Sequence, residues 1–508
     1  MAAASATSDY PRGNGAGGAS WTVADRLLLL GLVTLAALRT AALVFSPLEL
    51  GVDEAQYWLW STGFDFGYYT KPPLTSWIIG LSHGLFGHYE WAVRLPAPWL
   101  HLATSLVLWR AAGWLAGDAA GRIAGIAWMT LPSIGLGSFV ISTDTPLLLC
   151  WSAGLLALVG VLTGRMWESR GMLLAGGAFG AAMLAKYAAI YGLAGLVMFV
   201  LATNMPARGE DDRPRIGWRG LGLFTLGMFV IASPNILWNF ANELTTVRHL
   251  GDNANLDRQS YSLAGSLGFL GAQFATAGPV VFALMFGILR PRRGDDAGLL
   301  LFFMSVPVIL VIMVQAFLSE ANANWALAAM PALVLWLGRW LARARALVGR
   351  LAIGTNLGLC VLLLGVTTAG SLGPLTPESD PLRRLRGWQI LAADTGRALE
   401  AHGAATVIAD RRATAALLSW HFHDSDIGGE AITVLVIDAD GRPSNHFEQN
   451  LAWKPEAGRR LVALDGRSTP PRMTGVAWQQ GAPALSSTAV SRNRSRDLYI
   501  HKGVEDRN

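Results

Sequence analysis

The sequence predicts a polytopic α-helical membrane protein that ends in a small α/β domain, and three observations carry that prediction. Eleven apolar segments run between residues 26 and 370, arginines crowd alternate connections between them, and the composition turns mixed and charged after Gly370. Hydrophobic residues make up 52% of the chain and charged residues only 15%, with a mean hydropathy of +0.37. That balance excludes a string of ordinary soluble domains, which a chain of this length would otherwise suggest. Glycine (57) and tryptophan (20) are abundant. In a bilayer small residues let helix backbones approach, and indoles settle at headgroup depth. Cys150 and Cys360 each lie inside an apolar segment, where cysteine behaves as a small hydrophobe and neither a disulfide framework nor a thiolate metal site follows.

The opening residues, small and polar without an apolar core, are expected to form a disordered cytoplasmic tail over 1–25. A spanning helix takes about 20 mainly apolar residues. The expected spans are 26–46, 92–115, 121–141, 145–164, 171–185, 187–203, 219–238, 263–289, 298–318, 325–341 and 351–370. The first is too long for a signal-peptide core and reads as a retained anchor. The fifth and sixth read equally as one broken helix. With the N-terminus inside, cytoplasmic connections hold fifteen arginines, whereas the other side holds Lys71, Arg94, Lys186, Arg248 and Arg258 before the tail. By the positive-inside rule this places the first external loop, 47–91, and the region 371–508 outside. In that region "GPLTPESDP" (373–381) reads as a linker, "ATVIAD", "ITVLVID" and "RDLYIHKGV" as strands, and "RRATAALLSWHF" as a helix.

Sorted by side, the unusual polar residues fall together. Asp53 and Glu54, Lys71, Asp144 in "STDTPLL", Lys186 and Tyr187, Asn235 and Asn239 in "SPNILWNF", and Asn324 in "SEANANW" all lie outside or at outer membrane depth. Ionisable groups there are costly and face a cavity or a partner, so several at one depth suggest one polar pocket. Plainer readings compete at each position. Asp53–Glu54 has the form of an interfacial acidic pair, although it opens an amphipathic stretch in which Tyr57, Trp58 and Trp60 recur at near-helical spacing, as in a helix lying in the interface. Asp144 suits the first turn of a span, Lys71 could snorkel, and Asn324 could cap a loop. Lys186 is harder to leave in lipid. His421 and His423 have a spacing that could hold a metal on a strand, but two histidines without a further spaced cluster do not make a site, so no metal ligand is assigned. The basic runs Arg383–Arg386 and Arg492–Arg496 read as solvated or headgroup-facing surface. No nucleic-acid partner is expected.

A carboxylate beside an aromatic wall, with two lysines near, suits transfer of a sugar from an anionic lipid carrier. The carboxylate takes the proton of an acceptor hydroxyl, lysines stabilise the departing phosphate, and aromatic faces such as those of Tyr57, Tyr68 and Tyr69 stack on sugar rings. A transporter or lipid-sugar flippase would also have many spans, but would pair broken helices between inverted halves, and no such pairing is visible. An O-antigen ligase or polymerase would centre on a large basic external loop, whereas this loop is acidic and aromatic.

The stretches "DEAQYWLWS", "FGYYTKPPL", "VRLPA", "STDTPLLL", "AKYAAIY", "PNILWN" and "ANANWA", in that order over residues 50 to 335, resemble the GT-C superfamily. The likeness is to its bacterial branch related to protein O-mannosyltransferases, which includes the lipid A aminoarabinose transferases and the Rgt-type galacturonosyltransferases of lipopolysaccharide. The resemblance implies a GT-C membrane domain over 26–370 and an inverting transferase. It implies a polyprenyl-phosphate sugar as donor and lipid A, another glycolipid or a protein hydroxyl as acceptor. It makes Asp53 the catalytic base with Glu54 as acidic partner, Lys71 the contact to the donor phosphate, Asp144 a second acidic position and Lys186 a further phosphate contact. No cofactor is certain, and a divalent metal occurs in some relatives.

Overall fold

In the computed structural model, the described residues are 21–204, 216–244, 246, 261–290, 294–371, 381–438, 441, 443–479, 484–491 and 494–505. The expected tail up to residue 20, most of the 373–381 linker, part of the Arg492–Arg496 run and the arginines at 208, 213, 215, 248, 258, 292 and 293 lie outside them. The chain runs as helices α1 (Val23–Phe45), α2 (Val52–Ser61), α3 (Leu74–Phe86), α4 (Glu90–Arg94), α5 (Pro96–Ala116), α6 (Asp118–Thr130), α7 (Pro132–Gly137) and α8 (Asp144–Leu162). Next come α9 (Glu168–Ala185), α10 (Ile190–Thr203), α11 (Trp218–Ala241), α12 (Leu263–Ala277) and α13 (Pro279–Met285). The membrane part closes with α14 (Asp296–Phe303), α15 (Val306–Leu318), α16 (Met330–Leu341) and α17 (Ala346–Ala369). All eleven expected apolar segments are helical. Five helices among the described residues are long and apolar enough to cross a membrane, or six if α12 and α13, bent by 115° with their following turn, count as one.

Local chemistry accounts for the boundaries. α1 begins at Val23, inside the stretch expected to be tail, because Thr22 and Asp25 form a capping box that satisfies two otherwise unpaired amides. The ambiguous 171–203 stretch is two helices. Lys186 sits between them in extended conformation (φ −159°, ψ 132°), followed by a 3₁₀ turn over Tyr187–Ala189. α9 and α11 pack backbone against backbone: a Cβ on Gly176 would stand 2.1 Å from the Phe224 carbonyl oxygen, and one on Gly180 2.5 Å from that of Met228. Only glycine permits that approach, which is where membrane helices gain packing.

Residues from Trp388 onward form α18 (Trp388–His402), α19 (Arg412–His421), α20 (His446–Asn450) and eight strands. β1 (Thr406–Ala409) lies parallel to both β4 (Thr433–Val436) and β5 (Arg460–Asp465). β8 (Arg494–Glu505) runs antiparallel to β5 and also pairs with β6 (Val476–Trp478) and β7 (Ala484–Ser491), while β2 (Asp426–Ile427) and β3 (Glu430–Ala431) make a separate hairpin. The core of this sheet is continuous with the first external loop: Ala55, Tyr57, Trp58 and Trp60 of α2 pack in one cluster with Trp388, Leu417, Leu418 and Trp420. The α2 aromatics expected to lie in the membrane interface are therefore buried in protein. α2 is helical as its spacing predicts, but α19 covers it; Trp58 meets Trp420 edge-on at 4.9 Å.

One buried ion pair seats that loop. Glu54 Oε1 accepts from Arg94 Nε (2.9 Å) and from the Ile141 amide (3.1 Å), and Oε2 accepts from Arg94 Nη2 (2.7 Å) and from the Gly51 amide (2.8 Å). Arg94 also donates to the carbonyls of Leu48 (2.9 Å) and Glu49 (2.7 Å). Both side chains are almost fully buried, at 1% and 2% exposure. Removing one partner from such a pair strands a charge, at a cost of about 3–5 kcal/mol. Arg94→Met is expected to lower the unfolding midpoint of the detergent-purified protein by that energy, and Glu54→Gln together with Arg94→Met to recover part of the loss. An unchanged midpoint in the single variant would show that the pair does not hold the loop.

Candidate active site

Successive side chains on a helix point about 100° apart, and α2 uses that rotation to separate its two carboxylates. Glu54, third in the helix, turns inward, and all four of its acceptor positions are taken. Asp53 is exposed and reaches an arginine that sequence reasoning did not single out, Arg412 at the start of α19, whose guanidinium also donates to Gln56. The acidic pair is thus one anchor and one outward carboxylate, and Glu54 stands beside Asp53 as the residue that positions it.

Asp144 opens α8 and is 5% exposed. Lys186 Nζ donates to its Oδ1 at 2.7 Å and Asn324 Nδ2 to its Oδ2 at 2.9 Å. Each of the three residues comes from an interrupted stretch of helix: Asp144 follows the end of α7, Lys186 lies in the α9–α10 break, and Asn324 lies in the 3₁₀ segment Ala323–Ala329 before α16. Broken helices leave backbone groups and side chains free to face a polar interior, which at membrane depth is tolerated only inside protein or along a water-filled cavity.

Lys71 lies in the loop between α2 and α3. Among the described residues its ammonium makes no hydrogen bond or ion pair, yet Lys186, Asp53, Asp144 and Arg412 are all near enough to bias its charge. Burial, and then Lys186, push its pKa below the ordinary lysine range. This one group therefore has around it the two carboxylates, the second lysine and the arginine. Tyr57 sits on the same charges, buried to 5% exposure; burial first, and then Asp53, raise its phenol well above the usual range.

The remaining expected residues form the wall beside this centre. Tyr187 donates to Asn235 Oδ1 (2.7 Å) and accepts from Asn239 Nδ2 (2.9 Å), while Asn235 Nδ2 donates to the Phe66 carbonyl (2.7 Å). The asparagines of α11 thereby tie the "FGYY" loop to the membrane helices. Tyr68 stacks flat on Trp60 at 4.9 Å and donates to the Gly63 carbonyl, and Tyr69 donates to the Pro443 carbonyl across to the C-terminal sheet region. Asp65 turns back on its own loop, accepting from the Phe66 amide at 2.7 Å. Of the two histidines weighed as a pair, His421 has a buried Nε2 without a partner among the described residues, whereas His423 joins His83 and His88. No sequence signal connected Arg412 or His423 to the first loop, because their partners there lie more than 300 positions away along the chain.

Residues 70–238 match the family model of dolichyl-phosphate-mannose-protein mannosyltransferases. Lipid A galacturonosyltransferase RgtD of Rhizobium johnstonii is 32% identical over 441 residues, 85% of this chain and 89% of that protein. The crystal structure of ArnT from Cupriavidus metallidurans bound to undecaprenyl phosphate superposes with a TM-score of 0.64 at 15% identity, and apo ArnT with 0.59 at 16%; each match covers 94% of this chain and 98% of ArnT. At that identity the likeness is one of fold, and it extends over the C-terminal region as well as the membrane helices.

The exposure of the Arg412–Asp53 pair sets its energetic weight. Exposed pairs contribute between about 0 and 1 kcal/mol, so Arg412→Ala is expected to leave the unfolding midpoint nearly unchanged while hydrogen exchange quickens in 412–421. A loss as deep as that of Arg94→Met would show Arg412 to be structural.

Proposed function

The chain belongs to the glycosyltransferase family of the rhizobial lipid A galacturonosyltransferase RgtD, and from that membership we propose an inverting transferase that moves a sugar from a polyprenyl-phosphate donor to a hydroxyl of a cell-envelope acceptor. Lipid A or another lipopolysaccharide glycolipid is the acceptor class favoured by the name of that relative, ahead of a protein hydroxyl. The observation that carries the reading is Lys71: a half-buried ammonium without a hydrogen-bond partner among the described residues, within electrostatic reach of the Asp53 and Asp144 carboxylates.

In this reading Asp53 takes the proton from the acceptor hydroxyl, and the oxygen attacks the anomeric carbon from the side opposite the phosphate. The new C–O bond forms as the bond to the phosphate oxygen breaks, so the configuration inverts and the lipid phosphate leaves as an anion. Lys71 meets that anion, and its missing partner is the reason it is available. Lys186 supplies a second positive charge from within its pair with Asp144, and Glu54 acts through the seat it gives Asp53. Arg412 holds the Asp53 carboxylate until the acceptor arrives. Tyr57, Tyr68, Tyr69 and the Tyr187–Asn235–Asn239 network form the sugar-facing wall.

The arginine asymmetry supports eleven crossings in the inner membrane with the N-terminus cytoplasmic. The sheet region from 371 onward then lies in the periplasm, where nucleotide sugars are absent and a lipid-phosphate donor is the available substrate. A transporter or flippase accommodates the membrane helices but gives no role to a carboxylate and a lysine gathered under an extramembranous sheet.

Asp53→Asn is expected to abolish transfer while donor binding persists; a fully active variant would remove this mechanism. Lys71→Ala is expected to raise the KM for donor more than it lowers kcat. The sign of the pH effect follows from the depressed Lys71 pKa: the ammonium is lost on raising pH at a value below that of an ordinary lysine, so donor affinity falls on the alkaline side. Lys71→Arg, which stays charged, is expected to move that limb upward, and an unmoved limb would assign it to another group. Mass analysis of lipopolysaccharide from a deletion strain identifies the sugar and the acceptor.

A further inference from the structure

Outside the charged centre, a second cluster of titratable groups has no part in the proposed reaction. His83 in the last turn of α3, His88 in the following turn and His423 just beyond α19 bring three imidazoles together, with one ring nitrogen of each lying within 4.8 Å of the others. His83 Nε2 and His88 Nδ1 are 3.1 Å apart. Two nitrogens on one tetrahedral zinc with bonds of 2.0–2.1 Å stand about 3.3 Å apart, so this pair already has nearly the spacing of co-ligands.

The surroundings decide what the rings offer. His88 Nε2 lies 3.0 Å from the carbonyl oxygen of Trp420. A carbonyl only accepts, so Nε2 carries the proton and Nδ1 presents its lone pair toward His83. A backbone carbonyl sets the tautomer of a ligating histidine in the same way. Asp424, with its backbone in the left-handed region (φ 56°), holds His423 through a contact of 3.2 Å to Nε2. Trp58 and Trp420 close the cluster with apolar faces: His88 stacks on Trp420 at 3.7 Å, and the Trp58 edge meets His83, His88 and His423 at 5.9, 5.2 and 5.1 Å.

We propose that His83, His88 and His423 bind a divalent transition metal of the zinc class, with water completing the shell, and that the ion clasps α19 to the first external loop. Three imidazoles in a half-buried site suit zinc, which accepts nitrogen ligands without demanding one geometry. The position gives the ion a structural task. α19 is ten residues long, about 15 Å end to end, with Arg412 meeting Asp53 at its start and His423 following its end. The clasp therefore lies away from the reacting groups and fixes the helix that delivers Arg412 to the base.

The test uses full-length protein, purified in detergent without a polyhistidine tag, stripped with a chelator and titrated with zinc against a chromogenic competitor. One zinc per chain and a raised unfolding midpoint on zinc addition are expected. His83→Gln and His423→Gln, which keep size and polarity, are each expected to weaken zinc binding by at least ~100-fold while remaining monodisperse, and His446→Gln, outside the cluster, to bind as the parent does. Cobalt in place of zinc is expected to give a ligand-field spectrum that the His423→Gln variant lacks. Failure of the parent to retain zinc at micromolar free metal, or equal zinc content in the parent and the doubly substituted His83→Gln/His423→Gln chain, would overturn the proposal.

Discussion

The Glu54–Arg94 pair is the contact on which the 47–91 loop and the region packed on it depend. Two charges withdrawn from water repay their desolvation only when every lone pair and proton finds a partner. Here the carboxylate is filled by one guanidinium and two backbone amides, from Gly51 and Ile141. Those partners belong to the loop, to α4 and to the turn before α8, so a single side chain sets three segments against one another. The rotation of α2 that buries Glu54 also turns Asp53 outward, and the exposed carboxylate follows from the buried anchor.

The same loop is part of the C-terminal core. The α2 aromatics share a cluster with α18 and α19, and Glu49 accepts from the Trp388 and Gln389 amides at the N-terminus of α18 (2.6 and 3.2 Å), where a carboxylate satisfies otherwise unpaired donors. Arg412 on Asp53, Pro443 on Tyr69 and His423 beside His83 add contacts from one side to the other. The sheet region thus covers the first loop, and Tyr57 is buried in the cluster the two share. In the membrane part, interruption has a parallel effect. α9 stops at Lys186, α8 starts at Asp144, and the 3₁₀ segment before α16 carries Asn324, so the polar side chains appear where the helical ladder is broken and polar groups already need partners.

Much of this was legible in the amino-acid sequence. Apolar length and the clustering of arginines determined a helical membrane protein, because a bilayer permits few ways to satisfy a backbone, and all eleven apolar segments are helical. Strand runs at 405–410 and 432–438, with the helical spacing between them, foretold β1, α19 and β4, since a buried parallel strand reads as a continuous apolar run. Asp53, Lys71, Asp144 and Lys186 stood out because charge at membrane depth is costly. What only tertiary structure decided is how those groups divide their work. Adjacent carboxylates look alike in a sequence, and only the packing of Arg94 makes Glu54 an anchor and leaves Asp53 outward. Two lysines on one side look alike too, until the α9–α10 break pairs Lys186 with Asp144 and leaves Lys71 without a hydrogen bond among the described residues. Nothing local tied Arg412 to Asp53 or His423 to His83 and His88, because a contact across more than 300 residues is specified by shape complementarity between surfaces and not by any spacing along the chain.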